Sequence, residues 1–187
     1  MRQSEKRSSI HPLKDRAAPR DADRMSAHPL VPFSPPSDIG PFRIRPASED
    51  DLPALVRLDT ELFPDFAYPY FALRQFLDMY TDHLLVLDDG SCLHGYALSA
   101  PSADGCRSWI LGLGVAKQLR GQGLARRLMQ ETLRRLPIDG VHEVWLTVEP
   151  TNTAAIALYR SLGFAEQGAR EGYFGPGNDR LLLALRH

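Results

Sequence analysis

A strand-like run that passes through a glycine-rich turn straight into a helical pattern, between residues 108 and 136, constrains this chain most strongly. A helix that begins directly after such a turn leaves its first backbone N–H groups unpaired, beside the positive end of the helix dipole. Gly121 and Gly123 keep side chains away from that point, and the Lys and Arg side chains between 117 and 127 add positive charge. The segment therefore predicts a phosphate-binding turn.

Two further glycines, Gly112 and Gly114, lie within the strand itself. Glycine inside a strand indicates a bulge, which would release backbone N–H groups from sheet pairing. Other phosphate-binding patterns fit less well. A dinucleotide fingerprint would end on Lys117 or Arg126 instead of glycine, and no Gly-Lys-Ser/Thr sequence is present for a P-loop.

The first 40 residues contain six of the 15 prolines, many charges and few apolar residues. Such a segment buries too little surface to offset the entropy of ordering it. We therefore predict a disordered extension over residues 1–40 and one folded domain over residues 41–187.

Hydrophobic periodicity predicts an α/β (α+β) domain with the order β-α-α-β-β-β-α-β-α-β-β, a mixed sheet with helices on both faces. The predicted strands are 42–45, 84–87, 93–98, 108–115, 144–148, 164–169 and 181–185. The predicted helices begin near Ser48, Tyr70, Leu124 and Asn152.

Two motifs resemble one known family. The sequence Gln118-Leu-Arg-Gly-Gln-Gly123 matches Q/R-x-x-G-x-G/A, the acetyl-CoA pyrophosphate motif of the Gcn5-related N-acetyltransferases (GNAT). The segment from Trp145 to Phe164 resembles the branch that acetylates ribosomal-protein alanine. The resemblance implies a GNAT-type, mostly antiparallel sheet and an enzyme that transfers the acetyl group of acetyl-CoA to a primary amine, such as a peptide N-terminus.

The resemblance also implies roles for individual residues. Backbone groups of Leu113 and Val115 would pair with the pantetheine arm, and Tyr159 would be the general acid for the departing thiolate. The residues implied to contact acetyl-CoA are Leu113, Gly114, Val115, Gln118, Arg120, Gly121, Gln122, Gly123, Leu124, Ala125, Arg126 and Asn152. Asn152 could instead only cap its helix, and Tyr159 could be only a core aromatic. No metal is implied.

The general base departs from the family pattern. Related alanine acetyltransferases have Glu where this chain has Thr147, which cannot accept a proton at neutral pH. Strand alternation places Glu149 on the same face, so Glu149 acting through a water is one candidate. A solvated Glu149 at a turn is an equal alternative, and Asp59, Glu61 and Asp65 are further candidates.

The acceptor half is predicted from charge and aromatic content. Residues 49–89 contain ten acids against two Arg, which would attract an ammonium group if these acids are not simply solvated. Aromatic residues between 63 and 71 could wall an acceptor pocket. The turn-rich loop 173–179 would close over the acceptor in the resembling enzymes, or would be a plain hairpin turn.

Composition excludes other classes of protein. The net charge of -1 gives no general attraction to nucleic acid, and no apolar run is long enough for a membrane span. Cys92 and Cys106 are predicted to be reduced and partly buried in a cytoplasmic protein. A small-amine or lysine acetyltransferase and a non-catalytic acyl-CoA-binding module remain alternatives.

Overall fold

The computed structural model describes residues 37–39, 41–136 and 140–186. The strands are β1 (Ser37–Ile39), β2 (Phe42–Pro46), β3 (Leu84–Asp88), β4 (Leu93–Pro101), β5 (Arg107–Val115), β6 (Glu143–Val148), β7 (Ala165–Arg170) and β8 (Arg180–Arg186). The helices are α1 (Leu52–Leu62), α2 (Tyr70–Met79), α3 (Leu124–Arg135) and α4 (Thr153–Ser161). The predicted element order is confirmed, with one extra strand at its start.

That extra strand, β1, pairs antiparallel with β2 and lies inside the segment that we predicted to be a disordered extension. Periodicity misses it because three residues between prolines and glycine are too short to show alternation. The rest of the predicted extension, residues 1–36 and 40, lies outside the described residues.

The eight strands form one sheet in the order β1-β2-β3-β4-β5-β6-β8-β7. Every neighbouring pair is antiparallel except β5 and β6, which are parallel. This is the mixed, mostly antiparallel sheet that was predicted. The parallel pair lies near the centre of the sheet.

Helices cover both faces of the sheet. Helices α1 and α2 pack their leucines against Tyr96 and Leu98 on one face, the α1 face. Helix α3 packs on the opposite face against Leu85, Leu87 and Ala97, and α4 joins it over β6 and β8. The start of α1 is fixed by a capping box in the preceding 3-10 turn, where the Asp51 carboxylate accepts from the Ser48 N–H.

The prediction that both cysteines are partly buried is wrong. Cys92 lies in the β3–β4 turn and Cys106 in the β4–β5 turn, and both are free and exposed. Turn residues lie outside the packed layers whatever their hydrophobicity, because their backbone polar groups need water.

Strands β5 and β6 separate halfway along their length. They pair from Arg107 to Ile110 of β5, and β5 then continues to Val115 without β6 beside it. At this point the pairing of β5 with β4 passes from Ser99↔Ile110 to Leu98↔Gly112, so Leu111 is an extra, bulged residue. A bulge increases the local twist and bends the strand, which here turns β5 away from β6.

The two strand glycines make room for neighbouring side chains. A Cβ on Gly112 would lie 2.8 Å from the Tyr96 hydroxyl, and one on Gly114 would lie 2.6 Å from the Leu62 side chain. Neither glycine has a positive φ. The predicted bulge is therefore present beside Gly112, but close packing against α1 and β4, and not backbone freedom, requires the glycines.

A buried carboxylate holds the bulge in place. Asp59 of α1 is fully buried, and it accepts hydrogen bonds from the Tyr96 hydroxyl and, at 2.6 Å, from the Tyr68 backbone N–H. The Tyr68 hydroxyl in turn donates to the carbonyl of Leu111, at 3.2 Å. Removal from water raises the pKa of Asp59, and the two donors partly offset that effect. Asp59 thus connects α1 to the bulge of β5.

We predict that Tyr96→Phe lowers the free energy of unfolding by about 1–3 kcal/mol at pH 7, because the buried carboxylate loses a donor. The raised folded-state pKa of Asp59 means that its contribution to stability is greatest below its unfolded-state pKa and is lost as the pH rises through the folded-state value. Removing a donor raises the folded-state pKa further. The destabilisation measured by urea unfolding should therefore grow as the pH is raised from about 4 to 7.

Tyr68→Phe is the matched control, since it removes a phenol but leaves the Tyr68 N–H on Asp59. Its destabilisation should change little between the two pH values. A Tyr96→Phe effect that is equally independent of pH would contradict this role of Asp59.

Candidate active site

The free edge of β5 exposes backbone groups to the gap beside β6. The Ala116 N–H donates to the His94 carbonyl at 2.8 Å, which makes residues 116 and 94 a hydrogen-bonded pair. Hydrogen-bonded and non-hydrogen-bonded pairs alternate along an antiparallel ladder. Leu113 and Val115 are therefore in the non-hydrogen-bonded pairs, with Ala97 and Gly95, and their N–H groups point away from β4 into the gap.

The turn after β5 presents a row of unpaired N–H groups. Gly121 and Gly123 have φ values of +80° and +76°, and Gly123 is the N-cap of α3 without any side-chain cap. Within the described residues, no acceptor is bonded to the N–H groups of the six residues from Gly121 to Arg126. These donors converge at the positive end of a 12-residue helix, which is the arrangement that binds phosphate groups.

The space at this turn is open. A Cβ placed on Gly121 or Gly123 would have no atom of the neighbouring structure within 4 Å. The glycines are thus required by the left-handed backbone, since packing within the protein does not exclude a side chain there, and the open space leaves the N–H groups accessible to a ligand. Gln118 and Lys117 lie at the entrance, where they share a shallow pocket with Glu61 and Leu62 at the end of α1.

Two arginines of the turn are held by the protein itself. The Arg120 Nε donates to the carbonyl of Val115 at 3.3 Å, and Arg126 donates to the Ser161 hydroxyl at 2.6 Å. Arg126 thereby connects the first turn of α3 to the last residue of α4. Positive charge is present as predicted, but it also fixes the two helices that border the gap.

Helix α4 carries the two polar side chains predicted on that side of the gap. Asn152 is the N-cap, and its Oδ1 accepts from the Ala155 N–H at 3.1 Å, so the capping alternative is real. Tyr159 lies in the core with its ring 5.8 Å from that of Phe164. Burial raises the pKa of Tyr159 to about 12, and its hydroxyl has no hydrogen-bond partner in the described part of the chain.

The candidate bases occupy different environments. Cross-strand pairing places Thr147 on the same face as Trp145 and Trp109, the α1 face, and alternation puts Glu149 there too. Glu149 is exposed just beyond β6, where it accepts a hydrogen bond from the Thr151 hydroxyl at 2.8 Å. Asp59 is excluded as a base because both of its oxygens are bonded inside the core.

Five of the ten acids of residues 49–89 take part in ion pairs. Asp51 and Asp88 bind Arg45 at 2.7 Å each, Arg74 binds Glu49 and Asp78, and Asp89 binds His94. These ion pairs weaken the field that was predicted to attract an ammonium group. The charge count of residues 49–89 does not reveal these ion pairs, because Arg45 and His94 lie outside that segment and meet its acids only in the folded sheet.

Two loops meet over the α1 face at the far side of the gap. The Phe66 ring in the α1–α2 loop lies 5.8 Å from the Phe174 ring in the β7–β8 loop, and Tyr173 packs edge-on against Phe174. Phe63 and Tyr68 pack instead into the core. The sequence predicted this loop and these aromatic residues, but Arg180, whose guanidinium lies beside both Phe66 and Phe174, was not predicted. The sequence signal that could have identified Arg180 was its charge at the start of the otherwise apolar run 180–185.

Within the described ranges, no group of three His, Cys, Asp or Glu side chains could hold a metal ion. The same residues include no helix that is long and apolar enough to cross a membrane.

Comparison with known proteins identifies the family. A ribosomal protein bS18-alanine N-acetyltransferase of Salmonella typhimurium is 29% identical over 143 residues, 74% of this chain and 93% of that protein. An N-alpha-acetyltransferase of Saccharolobus solfataricus is 25% identical over 155 residues, 76% of this chain and 92% of that protein. Among solved structures, Arabidopsis thaliana Naa50 in complex with the bisubstrate analogue CoA-Ac-MVNAL has the same fold, with a TM-score of 0.69, 20% identity, and coverage of 78% of this chain and 99% of that one. The model of the acetyltransferase (GNAT) family matches residues 52–164, and the chain therefore belongs to that family.

Proposed function

We propose that this GNAT protein transfers the acetyl group of acetyl-CoA to the N-terminal amine of a peptide or protein. The observation that carries the proposal is the juxtaposition of two sets of free N–H groups, those of residues 121–126 and those of Leu113 and Val115 at the gap. Their separation into a phosphate-binding turn and a free strand edge suits a ligand with a pyrophosphate and a long amide-containing arm. The two curated relatives described above, which act on protein N-termini by name, support the acceptor class.

Acetyl-CoA is the acyl donor, and the protein is an acetyl-CoA-dependent N-acetyltransferase. When bound, acetyl-CoA supplies a thioester whose carbonyl carbon is open to attack. The N–H groups of the turn and Gln118 would hold its phosphates, and Asn152 has an amide NH₂ free to contact the arm while its oxygen caps α4. Free, exposed cysteines support the cytoplasmic, reducing location that we include in the proposal.

The transfer step follows from the groups around the gap. The amine nitrogen forms a bond to the carbonyl carbon, and the N–H of Val115 would stabilise the negative oxygen that develops there. The carbon–sulfur bond then breaks, the sulfur takes the proton of the Tyr159 hydroxyl, and the phenolate regains a proton through water from the positively charged nitrogen of the new amide. Before the attack, an ammonium acceptor loses one proton through water to a carboxylate, for which Glu149 is the nearest candidate on the same face as Thr147.

The environment of Tyr159 suits a proton donor. Its pKa of about 12 keeps the phenol protonated at neutral pH, and its hydroxyl is not already committed to another protein group. The leaving thiolate would form in the same apolar surroundings, which raise a thiol pKa as well. The two shifts act in opposite directions on the transfer, because a raised phenol pKa disfavours release of the proton and a raised thiol pKa favours its uptake.

We expect the Gly121→Ala, Gly123→Ala double variant to bind acetyl-CoA at least tenfold more weakly, about 1.4 kcal/mol. The added methyl groups meet no protein atom, so apart from straining the left-handed backbone they obstruct a ligand that approaches the turn. Calorimetric titration with acetyl-CoA measures the change. Gly90→Ala is the matched control for that strain, since Gly90 has a φ of +89° in the β3–β4 turn, outside the turn at residues 120–126. Equal affinity in the folded double variant and in the control would place the phosphates elsewhere.

Tyr159→Phe should reduce kcat by about 10²–10³ and leave acetyl-CoA affinity nearly unchanged, because only the proton-donating hydroxyl is removed. The phenyl ring keeps its packing against Phe164. Single-turnover rates with a peptide acceptor isolate the chemical step. Tyr80→Phe, at the end of α2, removes a phenol from another site and should keep the full rate. Full single-turnover activity of Tyr159→Phe would show that this hydroxyl is not the acid.

Glu149→Gln should lower the rate and remove the acidic limb of the pH–rate profile if Glu149 accepts the amine proton. Because the Thr151 hydroxyl can still donate to the Gln oxygen, the turn should keep its shape. Glu61→Gln and Asp65→Asn, measured in parallel, test the two other exposed candidates. An unchanged profile in Glu149→Gln would leave the proton to water or to whichever of those variants loses the limb.

A further inference from the structure

We propose that Arg180 binds a carboxylate of the acceptor, so that the enzyme prefers acceptors with an acidic group close to the amine. The inference deepens the proposed function and rests on it, because it assigns a specificity to the acceptor side of the same gap. It begins from the surroundings of one buried cation on β8.

Arg180 is placed on the acceptor side of the sheet. Thr147 of β6 pairs with Leu182 of β8, and cross-strand partners share a face. Arg180 lies two residues before Leu182, so alternation puts it on that same α1 face. It therefore shares a face with Thr147 and Glu149, on the side of the gap that an amine would approach.

The Arg180 side chain is largely covered and has no counter-charge in the described part of the chain. Arg180 is only 8% exposed, yet no ion pair joins it to any acid in the described part of the chain. One nitrogen donates to the carbonyl of Asp179 at 2.8 Å. A guanidinium has five N–H donors, so most of its donors lack a protein acceptor among the described residues. None of the nitrogens without a partner is fully buried, so they remain accessible to a ligand.

Aromatic rings lie beside the guanidinium but give it no counter-charge. The Arg180 Cζ lies 5.0 Å from the Phe66 centroid and 4.7 Å from the Phe174 centroid. The two centroids are only 5.8 Å from each other, so both rings lie to one side of the guanidinium. Such cation–π contacts stabilise the cation. The other side of the guanidinium keeps N–H donors that can bind a carboxylate in a bidentate manner.

A second arginine adds to the unbalanced charge. Arg170 of β7 is the direct cross-strand partner of Arg180, so two positive side chains share one face. Like charges directly opposite each other destabilise a sheet. Elsewhere in the described chain, buried or half-buried charges such as Arg45, Asp88 and Glu131 are paired. The unpaired arginines lie beside the two loops over the acceptor side, which suits an anionic ligand.

The test uses amidated peptide acceptors that differ only in Glu or Gln at the second or third residue. Wild-type enzyme should acetylate one of the Glu peptides with a kcat/KM at least tenfold above that of its Gln twin. Arg180→Gln should lose this preference while keeping the rate on the Gln twin within a fewfold. Arg57→Gln, which removes an exposed arginine of α1, should keep the preference. Free amino acids compared with their amides test the other source of a carboxylate.

Several outcomes would overturn the proposal. The first is equal rates on Glu and Gln peptides together with equal rates on amino acids and their amides. The second is a preference that persists in Arg180→Gln. The third is an equal loss of rate on both twins, which would mean that Arg180 only holds the two loops together. The wild-type comparison remains decisive if Arg180→Gln does not fold, and Arg180→Lys then provides a second variant. If no peptide or amino acid is acetylated, the proposed acceptor class fails. Calorimetric binding of the Glu and Gln peptides in the presence of CoA then still tests the arginine.

Discussion

The departure of β5 from β6 after Ile110 is the constraint on which the rest of the site depends. Two parallel strands at the centre of a sheet would normally satisfy each other's backbone groups along their full length. Here the bulge at Leu111, held by Tyr68 and the buried Asp59, ends that pairing early. The N–H groups of β5 are thereby left for a ligand. Hydrogen bonds to the buried Asp59 carboxylate of α1 help to stabilise this partly unpaired strand.

Side chains around the gap combine structural and proposed chemical roles. Asn152 caps α4 with its oxygen, which leaves its NH₂ free, and Tyr159 fills the core with its ring, which leaves its hydroxyl free. Arg126 joins α3 to α4 at the point where the strands separate. The two alternatives that sequence reasoning posed for Asn152 and Tyr159, packing or chemistry, therefore do not exclude each other, since different atoms of one side chain serve each.

Structural features that depend on local sequence pattern were predicted from the sequence, and features that depend on contacts between distant residues were not. Element order follows from periodicity, and the phosphate turn follows from Gly121 and Gly123, because both signals lie within a few consecutive residues. The burial of Asp59 depends on Tyr96, 37 positions away, and could not be read from either residue alone. The surroundings of Arg180 likewise could not be predicted from the local sequence. Its significance comes from Phe66 and Phe174, which two separate loops bring to it.

The loops that carry Phe66 and Phe174 connect α1 to α2 and β7 to β8, so neither belongs to β5 or β6, the strands that border the gap. No hydrogen bond described in this chain joins these loops to the turn at residues 120–126. This separation has an evolutionary consequence. Substitutions at Phe66, Phe174 or Arg180 can alter which amine is accepted without removing Tyr68, which lies in the same loop as Phe66 and holds the bulge of β5. One acetyl-transferring frame can thus serve different acceptors through changes at a few positions of the acceptor side, while the donor half keeps its structure.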